Sequence, residues 1–169
     1  KVMRKYVWFW NIFHYSLYRW EIYAGNIITY PVRKILRNEY IKKKYAERGV
    51  ENPEKIVFNT LNEPDSGVRI FLAGALVVVL TFLFLYGIFN VMFGLFAVRI
   101  NLELNYLFLM LGVSILINYL LLFKGNKYMV YFKEFAKMQK AEKDKYGWLC
   151  FFTAMSILIF TGFSVQFVY

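Results

Sequence analysis

One long apolar run constrains the fold of this chain more than any other feature. Between Ile70 and Val98 no side chain is ionisable except Tyr86. A helix of that length measures about 43 Å, whereas the hydrocarbon core of a bilayer is ~30 Å thick. The run therefore predicts a membrane-spanning helix that is tilted, extends beyond the hydrocarbon, or breaks near Asn90 and Gly94.

Two further apolar runs predict two further spans. The whole chain is 59% hydrophobic, against about 45–50% for soluble domains, and a soluble fold of 169 residues has too little interior to bury that excess. Lipid is therefore the predicted surrounding of the apolar surface. The predicted fold class is an all-α integral membrane protein with three transmembrane helices, at residues 70–98, 104–123 and 147–169.

The first 32 residues predict an amphipathic helix that lies in the membrane interface. This segment is rich in Trp and Tyr, which favour the boundary between membrane and water. A polar stripe recurs at helical spacing and consists of Asn11, His14, Tyr18, Glu21 and Gly25. We expect this stripe to face water while the bulky apolar sides face lipid. A full span is the alternative, although Arg19 and Glu21 would each cost ~2.5–3.5 kcal/mol at membrane depth.

A basic amphipathic helix is predicted next, because Pro31 favours a helix start and Gly49 a helix end. A second start signal at Asn52 and Pro53 predicts another helix, which continues to Asn62. A turn cluster then precedes the first span, and Asp65 or Ser66 is the predicted cap of that span.

The segment between spans two and three predicts another interfacial helix. Its aromatic and apolar side chains recur at helical spacing, at Tyr128, Tyr131, Phe132, Phe135 and Met138. The predicted organisation is thus an N-terminal interfacial and cytoplasmic region at residues 1–69, followed by a three-span region at 70–169. The basic amphipathic linker occupies residues 124–146.

The distribution of charge predicts the orientation. Residues 1–69 carry a net charge of +6 and residues 124–145 carry +4, whereas the 98–103 loop is neutral. Positively charged flanks stay on the cytoplasmic side during insertion. The N-terminus and the linker are therefore predicted on the cytoplasmic face of a bacterial inner membrane, with the C-terminus outside. A mitochondrial inner membrane, with the matrix in place of the cytoplasm, is the alternative.

The cations beside the spans are the predicted contacts with the membrane surface. They either set the topology and extend toward the interface, or bind anionic lipid headgroups or an acidic partner. No nucleic-acid-binding module accompanies them, so nucleic acid is not a predicted partner. The candidate residues are Arg33, Lys34, Arg37, Lys42, Lys43, Lys44, Lys133 and Lys137.

Small and uncharged polar residues inside the spans are candidate helix-packing positions. Small residues let two helices approach closely, and hydroxyl or amide side chains form hydrogen bonds between helices. They predict contact surfaces either within the bundle or with another subunit. The candidates are Gly74, Gly87, Asn90, Gly94, Thr153, Thr161 and Ser164.

No catalytic, cofactor or metal site is predicted. The chain has one cysteine, Cys150, and one histidine, His14, which excludes an intrachain disulfide and argues against a zinc site. Cys150 is predicted to be a buried packing residue, and His14 an interfacial polar one. No phosphate-binding loop, nucleophile elbow or metalloprotease motif occurs.

The predicted function is non-catalytic protein–protein association. In this hypothesis the chain is an accessory or structural subunit of a larger membrane assembly, a membrane immunity or defence partner, or a homo-oligomer, with the lipid bilayer as its surroundings. The alternative is a self-assembling pore or channel, as in a membrane-disrupting effector. A lipid-modifying enzyme is the third hypothesis, with His14, Glu21 and Glu103 as its candidate groups.

Overall fold

The structure is a computed structural model and describes residues 2–63, 67–96 and 104–167. Within these ranges the chain forms helices and short connections, with no strand, so the all-α prediction is confirmed. The helices are α1 (Val2–Leu36), α2 (Glu39–Ala46), α3 (Pro53–Asn62), α4 (Val68–Leu95), α5 (Leu104–Asn118), α6 (Lys127–Ala136) and α7 (Lys140–Ser164). A π-helix (Tyr119–Phe123) continues α5, and a 3-10 turn (Val165–Phe167) ends α7.

Three of these helices are long and apolar enough to cross a membrane, as predicted. They are Val68–Leu95, Leu104–Phe123 and Lys140–Phe167. Helix α4 runs without interruption through Asn90 and Gly94, so a break at those positions is wrong. The predicted polar connection at Arg99, Asn101 and Glu103 lies outside the described residues.

Helix α1 is longer than predicted, and Pro31 lies inside it rather than at a helix start. Proline lacks the N–H group that would donate to the carbonyl four residues earlier, but one lost hydrogen bond does not end a helix whose neighbouring turns are intact. The new helix starts after Asn38 instead. The Asn38 side chain accepts a 2.9 Å hydrogen bond from the backbone N–H of Tyr40 and so caps α2.

The predicted boundaries of α3 agree with the structure, whereas the predicted end of α2 does not. Helix α2 ends at Ala46, three residues before Gly49, whose φ of +80° closes the turn that follows. Helix α3 begins and ends as predicted, with the Asn52 side chain accepting a 3.0 Å hydrogen bond from the backbone N–H of Lys55. The predicted caps Asp65 and Ser66 lie outside the described residues.

The linker helix α6 is shorter than predicted. It ends at Ala136, before Met138, and α7 begins at Lys140 rather than at Gly147. Gln139 has an extended conformation with ψ of 153°, which separates the two helices. The seven lysines of the predicted linker therefore divide among three elements: one ends the π-helix, three lie on α6 or at its end, and three lie in the first turns of α7.

The chain divides into two compact units. The first contains Lys1–Leu17 and Gly74–Tyr169, and the second contains Tyr18–Ala73. The core of the first unit includes one residue from each of four elements, Phe13, Val77, Leu122 and Cys150, all at most 2% exposed. The predicted boundary between residues 69 and 70 concerns the membrane topology and stays a prediction.

Candidate functional site

A set of buried hydrogen bonds joins α1, α4 and α5 in the first unit. The indole Nε1 of Trp10 donates a 2.8 Å hydrogen bond to Asn118 Oδ1. The Nδ2 of Asn118 donates to Thr81 Oγ1 at 3.0 Å and to the Ser114 carbonyl at 2.8 Å. We call Trp10, Thr81, Ser114 and Asn118 the polar seam. Its central amide, fully buried, uses both ends to hold three helices together.

The hydroxyl groups of the polar seam also bind backbone carbonyls of α4. Ser114 Oγ donates to the Val78 carbonyl across the helix contact, and Thr81 Oγ1 donates to the Val77 carbonyl, each at 2.7 Å. Only the bond from Ser114 joins two helices, and hydrogen bonds between helices in membrane proteins contribute ~0.6 kcal/mol on average and up to ~1.7 kcal/mol. The polar seam therefore fixes the register of α5 on α4.

The π-helix that follows α5 receives hydrogen bonds from two side chains at its end. Carbonyl groups at a helix C-terminus have no intrahelical donor. Asn11 Nδ2 donates to the Leu121 carbonyl at 3.2 Å, and Lys127 Nζ donates to the Leu120 carbonyl at 2.9 Å. Side chains from α1 and α6 thus provide hydrogen-bond donors for carbonyl groups at the end of the second apolar helix.

The polar stripe predicted to face water is partly buried, which corrects that prediction. Asn11 and His14 are 0% exposed, and Tyr18 is 6% exposed. His14 lies in an aromatic cage, with its ring centroid 5.1 Å from that of Phe132 and 5.9 Å from that of Phe123. Asn11 Nδ2 donates to the Val7 and Leu121 carbonyls, so this part of the stripe faces neighbouring helices rather than water.

A second set of hydrogen bonds joins α4 to α7. Thr161 Oγ1 donates to the Leu83 carbonyl at 2.9 Å, and Asn90 Nδ2 donates to Ser164 Oγ at 3.2 Å. Three of the predicted packing residues, Asn90, Thr161 and Ser164, therefore lie together between these two helices. Thr153 does not join them, because its hydroxyl donates to the Leu149 carbonyl of its own helix.

The three predicted glycines of α4 lie against large side chains of the same unit. A Cβ at Gly87 would approach Phe160 Cε1 to 2.6 Å, and one at Gly94 would approach Phe167 Cβ to 2.5 Å. At Gly74 the nearest atom is the Cζ of Phe123, at 3.1 Å. The small residues of α4 thus accommodate rings from within the chain.

Arg69 organises the second unit, a role that was not predicted from the sequence. It is 3% exposed, and its Nη1 donates to the Ile22 carbonyl, to Asn26 Oδ1 and to Asn62 Oδ1. The guanidinium lies directly over Gly25, where a Cβ would be 2.5 Å from Arg69 Nη2. The only sequence signal was a lone cation at the edge of the apolar run, because its partners are far away in the chain.

Glu54 joins α3 to the last turns of α1 through two arginines. Its carboxylate lies 3.0 Å from Arg33 Nη2 and 2.8 Å from Arg37 Nη2. The Arg33 guanidinium also lies over the Phe58 ring, 5.4 Å from its centroid. Hydrogen bonding to Arg37, then to Arg33, lowers the pKa of Glu54 to about 2, although burial acts in the opposite direction. The same hydrogen bond raises the pKa of Arg37 above its ordinary value.

The eight predicted surface cations therefore differ in their surroundings. Arg33 and Arg37 bind Glu54, and Lys42 forms an ion pair with Glu39 at 2.9 Å. Lys34 lies beside an open groove that Pro31, Ile35, Asn38, Tyr40 and Ile41 also line. The other four, all exposed, are Lys43, Lys44, Lys133 and Lys137.

No protein-family model, curated protein or solved structure matches this chain.

The chemistry available in the bundle is hydrogen bonding rather than proton or group transfer. The groups that meet in the polar seam are an indole, an amide and two hydroxyls, none of which titrates near neutral pH. In the described part of the chain, no three His, Cys, Asp or Glu residues are grouped to hold a metal ion. The arrangement holds helices in register and leaves the outer faces apolar.

Proposed function

We propose that this chain is an integral membrane protein that crosses the bilayer three times and acts by non-catalytic association with other protein. The observation that carries the membrane part is the exposure of the three apolar helices. Only 33%, 22% and 17% of their most apolar windows are buried within the chain. So much uncovered apolar surface is unfavourable in water and favourable in lipid.

The direction of the polar groups supports the same proposal. Asn90, Ser114, Asn118, Thr161 and Ser164 lie on the three apolar helices, and each is at most 9% exposed. Uncharged polar groups that point into a bundle and bind one another are typical of membrane helices, where lipid offers no hydrogen-bond partner.

The orientation follows from charge. The net charges of +6 at residues 1–69 and +4 at residues 124–145 support a topology in which both segments stay on the side from which insertion begins. In the proposed topology these segments are cytoplasmic, in a bacterial inner membrane, and Tyr169 is outside. The exposed lysines Lys43, Lys44, Lys133 and Lys137 then lie where anionic headgroups attract them.

Association with protein is supported by an exposed apolar face on α1. Ile28, Val32 and Ile35 are 76%, 50% and 61% exposed, and their spacing of four and three residues places them on one side of the helix, beyond the turn at which Arg69 contacts Ile22 and Asn26. In the proposed topology residues 1–69 are cytoplasmic, so these last turns of α1 lie outside the hydrocarbon core. Burial of these exposed apolar side chains against a partner protein is energetically favourable.

A pore has less support. The hydroxyl and amide groups of the second and third apolar helices would have to line a ring, yet Ser114, Asn118, Thr161 and Ser164 form hydrogen bonds within the chain. Opening a polar path would break these bonds.

The test is photocrosslinking of the full chain in its native membrane. A photoreactive residue replaces Ile28 on the exposed face of α1, or Lys55 on α3 as an exposed control. We expect one protein adduct of defined mass from position 28, and co-purification of the same protein at fixed stoichiometry in mild detergent. An adduct of twice 20.2 kDa indicates a homo-oligomer. Recovery of uncrosslinked monomer alone would contradict the proposed association.

The matched variants are Ile28→Glu and Lys55→Glu. The first places a charge on the apolar face and is expected to abolish co-purification. The second places the same charge on a polar surface and is expected to preserve it. Equal retention of the partner by both variants would remove α1 from the interaction.

A further inference from the structure

A cavity of about 170 Å³ lies between α1, α4 and α7 in the first unit. Aromatic side chains of α1 and α4 form much of its wall, and Phe84, which is 44% exposed, places it at the surface of the bundle. The lining residues are Phe9, Trp10, Phe13, Val77, Leu80, Thr81, Phe84, Thr153 and Ile157.

The cavity offers no free polar group to a ligand. Its hydroxyl side chains belong to Thr81 and Thr153, and each donates to a carbonyl of its own helix, at Val77 and Leu149 respectively. An apolar cavity of roughly 150 Å³ stays dry and takes up benzene-sized apolar molecules. The occupant is therefore an apolar group rather than water or a charged headgroup.

The position of the cavity along the helices indicates which apolar group reaches it. On α7, Thr153 and Ile157 follow Lys145 by eight and twelve residues, or about 12 and 18 Å along a helix. The hydrocarbon of one leaflet is about 15 Å thick, half of the core. A lipid whose phosphate lies at the level of Lys145 thus has the end of its acyl chain at the level of the cavity.

We propose that this cavity binds the distal part of one acyl chain of a phospholipid from the cytoplasmic leaflet. The proposal rests on the membrane insertion proposed above. Occupation by the chain fills the space between α1, α4 and α7 that Phe9, Leu80 and Ile157 line, and adds dispersion contacts to these side chains.

The test uses the purified full chain in nanodiscs made with a phosphatidylglycerol that carries a diazirine near the end of one acyl chain. After photolysis, labelled peptides are mapped by mass spectrometry. We expect residues 77–84 and 153–157 to be labelled roughly fivefold more than the exposed positions 111, 113, 115 and 116 of α5, a preference that corresponds to ~1 kcal/mol. Uniform labelling of all exposed helix faces would overturn the cavity proposal and leave membrane insertion intact.

Matched substitutions on α7 separate the cavity from the lipid-facing surface. Ile157→Phe fills the cavity and is expected to reduce labelling there to the level of α5. Ile159→Phe makes the same change at a position that is 67% exposed, and is expected to leave the labelling unchanged. If both variants are labelled like the unsubstituted protein, the proposal is wrong.

A cavity-enlarging variant covers the case in which Ile157→Phe does not fold. Leu80→Ala is expected to increase acyl-chain labelling of residues 153–157, because the enlarged site holds more of the chain. Unchanged or reduced labelling of a monodisperse Leu80→Ala protein would contradict the proposal. Absence of label from every helix would instead contradict the membrane insertion itself.

Discussion

Trp10 and Asn118 are 108 positions apart in the chain and share a 2.8 Å hydrogen bond from the indole Nε1 to the amide Oδ1. The bond places the first helix beside the end of the second apolar helix. The same amide donates to Thr81 on the first apolar helix, so one side chain connects three helices. This arrangement makes Asn118 the residue whose loss is most informative.

Asn118→Leu is expected to lower the free energy of unfolding by ~1–2 kcal/mol. Leucine has the same number of side-chain heavy atoms as asparagine, branched in the same way, but it leaves the Trp10 indole N–H without its acceptor. Unfolding by sodium dodecyl sulfate from a mild detergent, followed by tryptophan fluorescence, measures the change. Asn105→Leu, at an exposed position of the same helix, is the control and should be close to neutral.

A double-mutant cycle with Trp10→Phe isolates the hydrogen bond. If Trp10 and Asn118 interact as described, the double variant loses less stability than the two single variants together. Additive losses would show that the bond contributes nothing to stability.

Gly87→Ala is expected to destabilise the protein by ~1–3 kcal/mol, since the new Cβ would meet the Phe160 ring at 2.6 Å. Gly112→Ala and Gly162→Ala lie on helices with nothing within 4 Å of the added atom. Both controls should be neutral or stabilising by up to ~1 kcal/mol, because alanine favours helix over glycine. Thermal unfolding in detergent would distinguish the three variants. A neutral Gly87→Ala variant would contradict the close contact of α4 with α7.

The ion pairs of Glu54 predict that the stability of α3 decreases at low pH. The pKa of Glu54 is about 2 in the folded protein, below the ordinary value of 4.5, so the unfolded state binds more protons between these values. The stabilisation is therefore fully present above about pH 4.5 and is lost as the pH falls toward 2. Amide hydrogen exchange of α3, corrected for the intrinsic rate at each pH, measures this loss.

The variants assign the acid dependence to Glu54. In Glu54→Gln, the amide protons of α3 are expected to exchange faster at neutral pH than in the unsubstituted protein. The corrected exchange rate of α3 is then expected not to change between pH 4.5 and 2. Glu39→Gln removes a more exposed ion pair, with Lys42, and should leave exchange of α3 unchanged. A wild-type protein whose α3 exchange does not respond to acid would count against the Glu54 contacts.

The long apolar helices could be predicted from the sequence because a run without charges constrains helix length and surroundings at once. Asn52 and Pro53 also marked the start of α3 correctly, since capping depends on neighbouring residues alone. Pro31 misled for the opposite reason. Local propensity favours a helix start there, yet the backbone continues as helix to Leu36, and the next cap is at Asn38.

The polar contacts could not be predicted, because they depend on which helices meet. The spacing of Asn11, His14 and Tyr18 correctly placed them on one face, but spacing does not tell whether a face points to water or to a neighbouring helix. Arg69 was missed for the same reason, since Asn26 and Asn62 become its partners only when the chain folds. A polar stripe on a helix of an apolar chain is thus better interpreted as a contact face.

The most direct test of the account is the sidedness of three single-cysteine variants, Lys43→Cys, Asn101→Cys and Lys137→Cys. Each is made in a Cys150→Ser background, in which the buried native thiol is removed. A membrane-impermeant maleimide is applied to sealed vesicles of both orientations. We expect positions 43 and 137 to be labelled only from the cytoplasmic side and position 101 only from the opposite side. Labelling of positions 43 and 137 from opposite sides, or recovery of the chain in solution without detergent, would contradict three membrane crossings.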